Sequence, residues 1–244
     1  MIALLMQPNT WLYIKQNRLI MKPKQLTIFL AAAFFSLIDI ALTAFGKEDL
    51  RLFTKPLIIP LLISLYIISI DQRRSWWRDA IVLGLICSWA GDVLLQVDGM
   101  FIPGLCSFLL AHLFYIKFFV STKSDSTSFF KLRPVMLIAV LAYLIELMHL
   151  LWPTLGQMKI PVLAYGITIS IMLSAALWQY QKLETKTAIL FIIGAFFFVL
   201  SDSILAINKF RSPFEEAGVY TMTTYIIAQL LIVVGAIRYR NTPK

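Results

Sequence analysis

Asp92, in GLICSWAGDVLLQVDG (84–99), and Asp202, in GAFFFVLSDSILAINKF (194–210), are carboxylates set inside otherwise apolar runs. An ionised carboxylate at the centre of a bilayer costs about 2.5–3.5 kcal/mol on insertion scales. Such a group pairs with a cation or a hydrogen-bond donor, or it stays protonated. A carboxylic acid kept neutral near pH 7 is a ready proton donor, and a second carboxylate nearby can take a proton or face a developing cation. Asp92 and Asp202 are therefore the candidate catalytic pair, expected to meet across one lipid-embedded cavity. Hydrogen bonding between helices is the plain structural alternative.

Other polar groups fall where they could serve such a cavity. His112 continues a helical face with Gly104, Phe108 and Tyr115, and Ser201 flanks Asp202. Thr221, Tyr225 and Gln229 form an i, i+4, i+8 stripe, and Tyr165 lies in another apolar run. Lys55, Asn208 and Lys209 sit near the rim, where a lysine snorkels by default but can grip a phosphate. The candidate substrate-binding residues are thus Lys55, His112, Tyr115, Tyr165, Ser201, Asn208, Lys209, Tyr225 and Gln229. Asp39 and Glu146 read as structural. Gly84, Ser88 and Gly91 make a small-residue face for helix packing. Cys87 and Cys106 form no CxxC pair and read as core packing. G-x-S-x-G, H-E-x-x-H, P-loop and G-x-G-x-x-G patterns are all absent, so carboxylates are the main chemical assets.

These residues need a lipid-embedded, all-α scaffold. The 244-residue chain is 59% hydrophobic and only 14% charged, with a mean hydropathy of +0.80. So much apolar surface calls for lipid as solvent. A span takes about 20 apolar residues as helix. Eight segments qualify: 25–46, 55–71, 78–97, 101–121, 132–152, 159–181, 186–208 and 219–238. The domain plan is an N-terminal cytoplasmic or interfacial arm (1–24), one eight-helix transmembrane domain (25–238) and a cytoplasmic tail (239–244). Within the arm, translation could start at Met1 or at Met21. The net charge of +9 comes from basic residues in short connectors, a positive-inside pattern and not a nucleic-acid face. Lys and Arg collect in the arm, the even-numbered connectors and the tail, which puts both termini in the cytoplasm and the protein in the inner membrane.

The halves also resemble each other. LID at 37–39 answers LIE at 144–146, and Lys55-Pro56 answers Lys159-Ile160-Pro161. G-x7-D-x2-L recurs at Gly84–Leu95 and Gly194–Leu205, and FLLAHL (108–113) answers YIIAQL (225–230). A parallel 4+4 repeat is the expectation. With spans one, three, five and seven running outward at about 1.5 Å per residue, Asp39, Asp92, Glu146 and Asp202 all come to rest in the outer half. Parallel repeats with buried acids also describe proton-coupled carriers, so a transporter or lipid-binding protein is the competing class.

Several motifs in this order resemble the YhhN family of integral membrane proteins. They are T-K-P at 54–56, G-D-V-L-L at 91–95, F-x2-G-L-x2-F-x3-H-x2-Y at 101–115, P-x2-A-Y at 161–165, G-A-x2-F-x2-S-D-x2-L-A at 194–206 and Y-x3-Q at 225–229. The resemblance implies a lysoplasmalogenase, which hydrolyses the vinyl ether of a lysophospholipid drawn from the bilayer to a fatty aldehyde and a glycerophospho-ethanolamine or -choline. It places the family's two candidate catalytic aspartates on Asp92 and Asp202 and requires no metal or other cofactor. Vinyl ethers resist base and hydrolyse in acid through an oxocarbenium ion, which suits a two-carboxylate site. Apolar neighbours favour Asp92 as the acid, and the serines beside Asp202 favour its ionised form. Oligomeric state and headgroup preference are not written in the sequence.

Overall fold

A computed structural model describes residues 21–70, 79–122, 134–180 and 182–242. Expectations for the first 20 residues, and for most of the basic connectors, fall outside them. Among the described residues the structure is all helical, with eight α-helices. They are α1 (Pro23–Ala44), α2 (Glu48–Ser69), α3 (Ala80–Leu94), α4 (Phe101–Ser121), α5 (Val135–Leu151), α6 (Lys159–Leu177), α7 (Thr185–Phe210) and α8 (Ala217–Asn241). A 3-10 turn, Gly156–Met158, leads into α6. Six helices are long and apolar enough to cross a membrane; α3 and α5 are shorter. In lipid the backbone has no water to bond, so each apolar run closes its hydrogen bonds within itself.

The ends are set by local chemistry. Asp79 caps α3 by accepting from the Ile81 N–H at 3.1 Å. At the close of α1, Gly46 has φ +64°. There the Lys47 and Gly46 N–H groups reach back to the Leu42 and Thr43 carbonyls, a stop that a left-handed glycine makes possible. Helix α2 starts seven residues before the expected span, at Glu48, and carries Pro56 and Pro60 inside it. Pro60 has no N–H for the Pro56 carbonyl. The Trp89 indole N–H of α3 takes up that carbonyl instead, at 2.9 Å.

Helices α1, α2, α3, α4, α6, α7 and α8 contact in sequence and close a ring, since α8 returns to α1 and α2. Helix α5 stands outside, packed on α6 and α7. The centre is aromatic, with Tyr66, Tyr115, Phe118, Phe119, Phe191 and Phe198 fully buried, while large side chains such as Phe34, Leu37 and Ile145 face outward. The glycines serve two kinds of approach. A Cβ at Gly84 or Gly91 would strike the rings of Tyr115 or Phe108, so α3 receives side chains there. A Cβ at Gly194 would lie 3.2 Å from the Ala228 carbonyl oxygen, so α7 and α8 meet backbone to backbone. Of the cysteines, Cys87 is half-buried and packs on the core. Cys106 is exposed on α4, contrary to the core placement expected for it.

At the end of the bundle that carries the C-terminus, polar clamps tie the helices. Asp79 accepts from Tyr66 at 2.8 Å and from Arg240 at 2.7 Å. The Arg238 Nε–H donates to Glu184 at 2.8 Å. That guanidinium holds the Glu184 carboxyl below the usual carboxylate range. A depressed carboxyl stabilises the fold above its unfolded value and loses that contribution as pH falls through its folded one. Because Glu184 is largely exposed, the contribution is at most about 1 kcal/mol. Thermal unfolding followed from pH 7 down through the carboxylate range should show this small loss in the wild type. Glu184→Gln should lack it.

Candidate active site

Asp92 ends the small-residue face of α3, and its carboxylate is spoken for on both oxygens. The Lys55 ammonium of α2 lies 3.4 Å from Oδ1, and the Tyr225 hydroxyl of α8 donates to Oδ2 at 2.6 Å. All three residues are buried. Lys55 therefore does not snorkel to the rim as expected. Its earlier helix start places it two turns inside α2, facing α3. Arg51, one turn nearer the helix start, and Thr54, next to Lys55, turn to Asp39 of α1, with Thr54 donating to Oδ1 at 2.8 Å and Arg51 Nε 3.5 Å away. Asp39 is fully buried, with the structural role expected of it. Glu146 is exposed on the outlying α5 and joins neither cluster.

Asp202 is held differently. Tyr165 of α6 donates to Oδ2 at 2.8 Å, and His112 Nε2 of α4 stands 3.5 Å from the same oxygen. Among the described residues no donor engages Oδ1. Asp202 lines a pocket together with Leu95, Phe101, Leu105, Phe108, Val162, Tyr165, Leu205, Ala206 and Phe210. The walls are apolar except for the acid and the phenol at one end, as a lipid ligand requires. Phe101 and Phe210 meet edge to face at 5.7 Å, and Lys209 holds its ammonium 5.0 Å above the Phe101 ring. Seven residues of helix, about 10 Å, separate Lys209 from Asp202.

Asp92 is not in the wall of this pocket. The Phe108 ring lies between, seated where a Cβ of Gly91 would be and edge-on to Tyr225 at 5.8 Å. The two acids thus sit in separate polar clusters bridged by the Phe108, His112, Phe198 and Tyr225 rings, and only Asp202 lines the pocket, in place of the single shared chamber expected.

The other candidate residues separate into three groups. Tyr165 lines the pocket, and Lys209 lies over the ring of its Phe101 wall. Tyr115 donates to Gln229 Oε1 at 2.8 Å and lies 3.4 Å from Ser88, deep in the ring; among the described residues the Gln229 amide nitrogen has no partner. Ser201 donates to the Thr221 carbonyl at 3.0 Å, tying α7 to α8. Asn208 accepts from the Phe214 N–H at 3.1 Å and shapes the turn after α7. Sequence reading passed over Phe108 and Phe198, whose apolar type gave no chemical signal, and Tyr143, which bonds Ser203 beside Asp202. It also passed over Arg51. Extending α2 back to Glu48 would have exposed it, one turn before Lys55 on the same face.

The YhhN family model matches residues 50–236. Human lysoplasmalogenase TMEM86B is 36% identical over 158 residues, 63% of this chain and 62% of that protein. Mouse lysoplasmalogenase TMEM86B is 31% identical over 182 residues, 74% of this chain and 72% of its own. The lysoplasmalogenase of Mycobacterium bovis is 30% identical over 179 residues, 71% and 65% of the two chains. The match thus spans less than two thirds of the human protein. No solved structure matches the chain.

Proposed function

Because the chain belongs to the YhhN family, we propose that it is a membrane-embedded lysoplasmalogenase in which Asp202 is the proton donor. The observation that carries this reading is Asp202 in the wall of an apolar pocket, with Tyr165 donating to its Oδ2. An oxygen that accepts a phenol hydrogen leaves the acid proton to Oδ1, on a side chain that lines the pocket. Asp92 has both oxygens satisfied by an ammonium and a phenol, the pattern of an ionised carboxylate. Hydrogen bonding thus favours the reverse of the roles that flanking residues suggest.

In the slow step, the Asp202 Oδ1 proton adds to the β-carbon of the vinyl ether. The C=C π bond supplies the electron pair, and the α-carbon and its ether oxygen become an oxocarbenium ion. The Asp202 carboxylate, left beside the cation, stabilises it in a water-poor cavity. Water then bonds to the α-carbon and returns a proton to Asp202. The resulting hemiacetal passes its hydroxyl proton to the glycerol oxygen and breaks to aldehyde and alcohol. One water is consumed and the acid is regenerated. Asp92, balanced by Lys55, holds Tyr225 and through it the Phe108 wall in place.

The substrate is a single-chain amphiphile taken from the outer leaflet, with its phosphate at Lys209 and its vinyl ether beside Asp202. We read all eight helices as spans with both termini in the cytoplasm of a cell whose inner membrane holds the protein. Turns after Leu94 and Leu151 lengthen the two shorter helices and support this. A 4+4 duplication draws support from matching neighbours. Contacts α1–α2, α2–α3, α3–α4 and α8–α2 recur as α5–α6, α6–α7, α7–α8 and α4–α6. Asp92 takes partners from α2 and α8, and Asp202 takes them from α6 and α4. Purified protein in detergent micelles should release fatty aldehyde from lysoplasmalogen. A carrier needs a sealed vesicle and would yield no product there; absence of aldehyde would overturn the hydrolase reading.

A further inference from the structure

His112 is a fully buried imidazole that the reaction above leaves unused. Phe198 meets its ring edge to face at 4.6 Å and Tyr165 at 5.4 Å. Among the described residues neither ring nitrogen has a hydrogen-bond partner, although a neutral imidazole always carries one donor and buried polar atoms are almost always satisfied. Nε2 stands 3.5 Å from Asp202 Oδ2, a few tenths of an ångström beyond hydrogen-bond length. An unpartnered donor is therefore poised beside the one carboxyl group that changes charge during the proposed reaction.

We propose that His112 is a positioning residue for Asp202, whose Nε2–H closes onto Oδ2 as Asp202 ionises. The inference rests on the hydrolase reading. While Asp202 is neutral, Oδ2 already accepts from Tyr165 and draws a second donor weakly. When the Oδ1 proton leaves for the substrate carbon, negative charge spreads over both oxygens. Oδ2 then becomes a charged acceptor, and charge-assisted hydrogen bonds are shorter and roughly twice as strong as neutral ones. The contact is made in the transition state more than in the resting acid, so it acts on kcat and leaves substrate binding alone. Phe198 and Tyr165 flank the imidazole and hold it edge-on, so the donor does not have to be recruited. The histidine keeps its proton throughout, and no bond to it forms or breaks.

The experiment compares His112→Leu, His112→Gln and His112→Asn with the wild type, each purified in detergent and checked for folding by thermal unfolding. Loss of one such donor lowers kcat on lysoplasmalogen roughly 100-fold; KM should stay within about threefold, as expected for an interaction made only in the transition state. Gln, whose amide reaches about as far as Nε2, should recover about tenfold of the kcat lost in the Leu variant, and the shorter Asn should not. If the Leu variant does not fold, the Gln-over-Asn difference in kcat at equal KM decides the matter. Equal kcat across the folded variants, or a loss confined to KM, would overturn the role of His112 while leaving the hydrolase intact. A wild type that releases no aldehyde would overturn both.

Discussion

Asp202→Asn should reduce aldehyde release to roughly a thousandth or less of the wild-type rate, at the upper end of what a positioned general acid contributes. Asparagine keeps the size of the side chain and can still accept the Tyr165 hydroxyl, so the aromatic cluster and the pocket should stay as they are. What is lost is the proton that the acid would deliver. Protonation of carbon is slow even for activated alkenes, and no other carboxyl group among the described residues lines this cavity. Substrate binding should survive, because the walls that would hold the hydrocarbon are Leu95, Leu105, Leu205 and their neighbours. The check is a kcat and KM measurement in micelles together with binding of a saturated ether analogue, which cannot react. Full activity in a folded Asp202→Asn protein would remove the acid from the mechanism.

Lys55→Met should be the most damaging single change to stability. The ammonium and the Asp92 carboxylate are both buried and 3.4 Å apart. Removing one member of such a pair strands a charge and costs about 3–5 kcal/mol. The penalty belongs to the stranded carboxylate and not to the absent lysine. Lys55→Met combined with Asp92→Leu should therefore recover most of the stability while remaining short of wild-type activity. Apolar replacement of both members of a buried pair is often neutral or favourable. Thermal unfolding of the two single variants and the double variant in one detergent gives the comparison. A double variant no more stable than Lys55→Met alone would show that the pair is not the source of the loss.

How much of this was legible beforehand depends on what each residue type announces. The all-helical fold followed from unbroken apolar runs, because lipid leaves the backbone no other way to satisfy itself. Acids among leucines announced themselves by their cost, and both proved central to polar clusters that link helices. Tyr165 and Tyr225 were picked out as polar groups at the right depth, and each donates to one of the acids. The partner of Asp92 was harder to read. Lys55-Pro56 looked like the opening of a span, since proline favours a first turn, and a lysine there would reach for headgroups. Helix α2 instead continues back to Glu48 through both prolines, which turns Lys55 inward. The partition between the two acids was out of reach altogether. Phe108 shares its apolar type with the lipid-facing phenylalanines, and only the packing of α3 on α4 sets its ring in the space above Gly91.

The indole that occupies the orphan carbonyl of Pro56 has a mechanical corollary. Pro56 adjoins Lys55, and Trp89 stands three residues before Asp92, so the bolt lies within a turn of the charged couple on either rod. Sliding α2 along α3 by a single residue would shear both at once. A missing amide hydrogen thereby becomes the keyway that sets the axial alignment of two helices, and with it the spot where opposite charges meet inside oil.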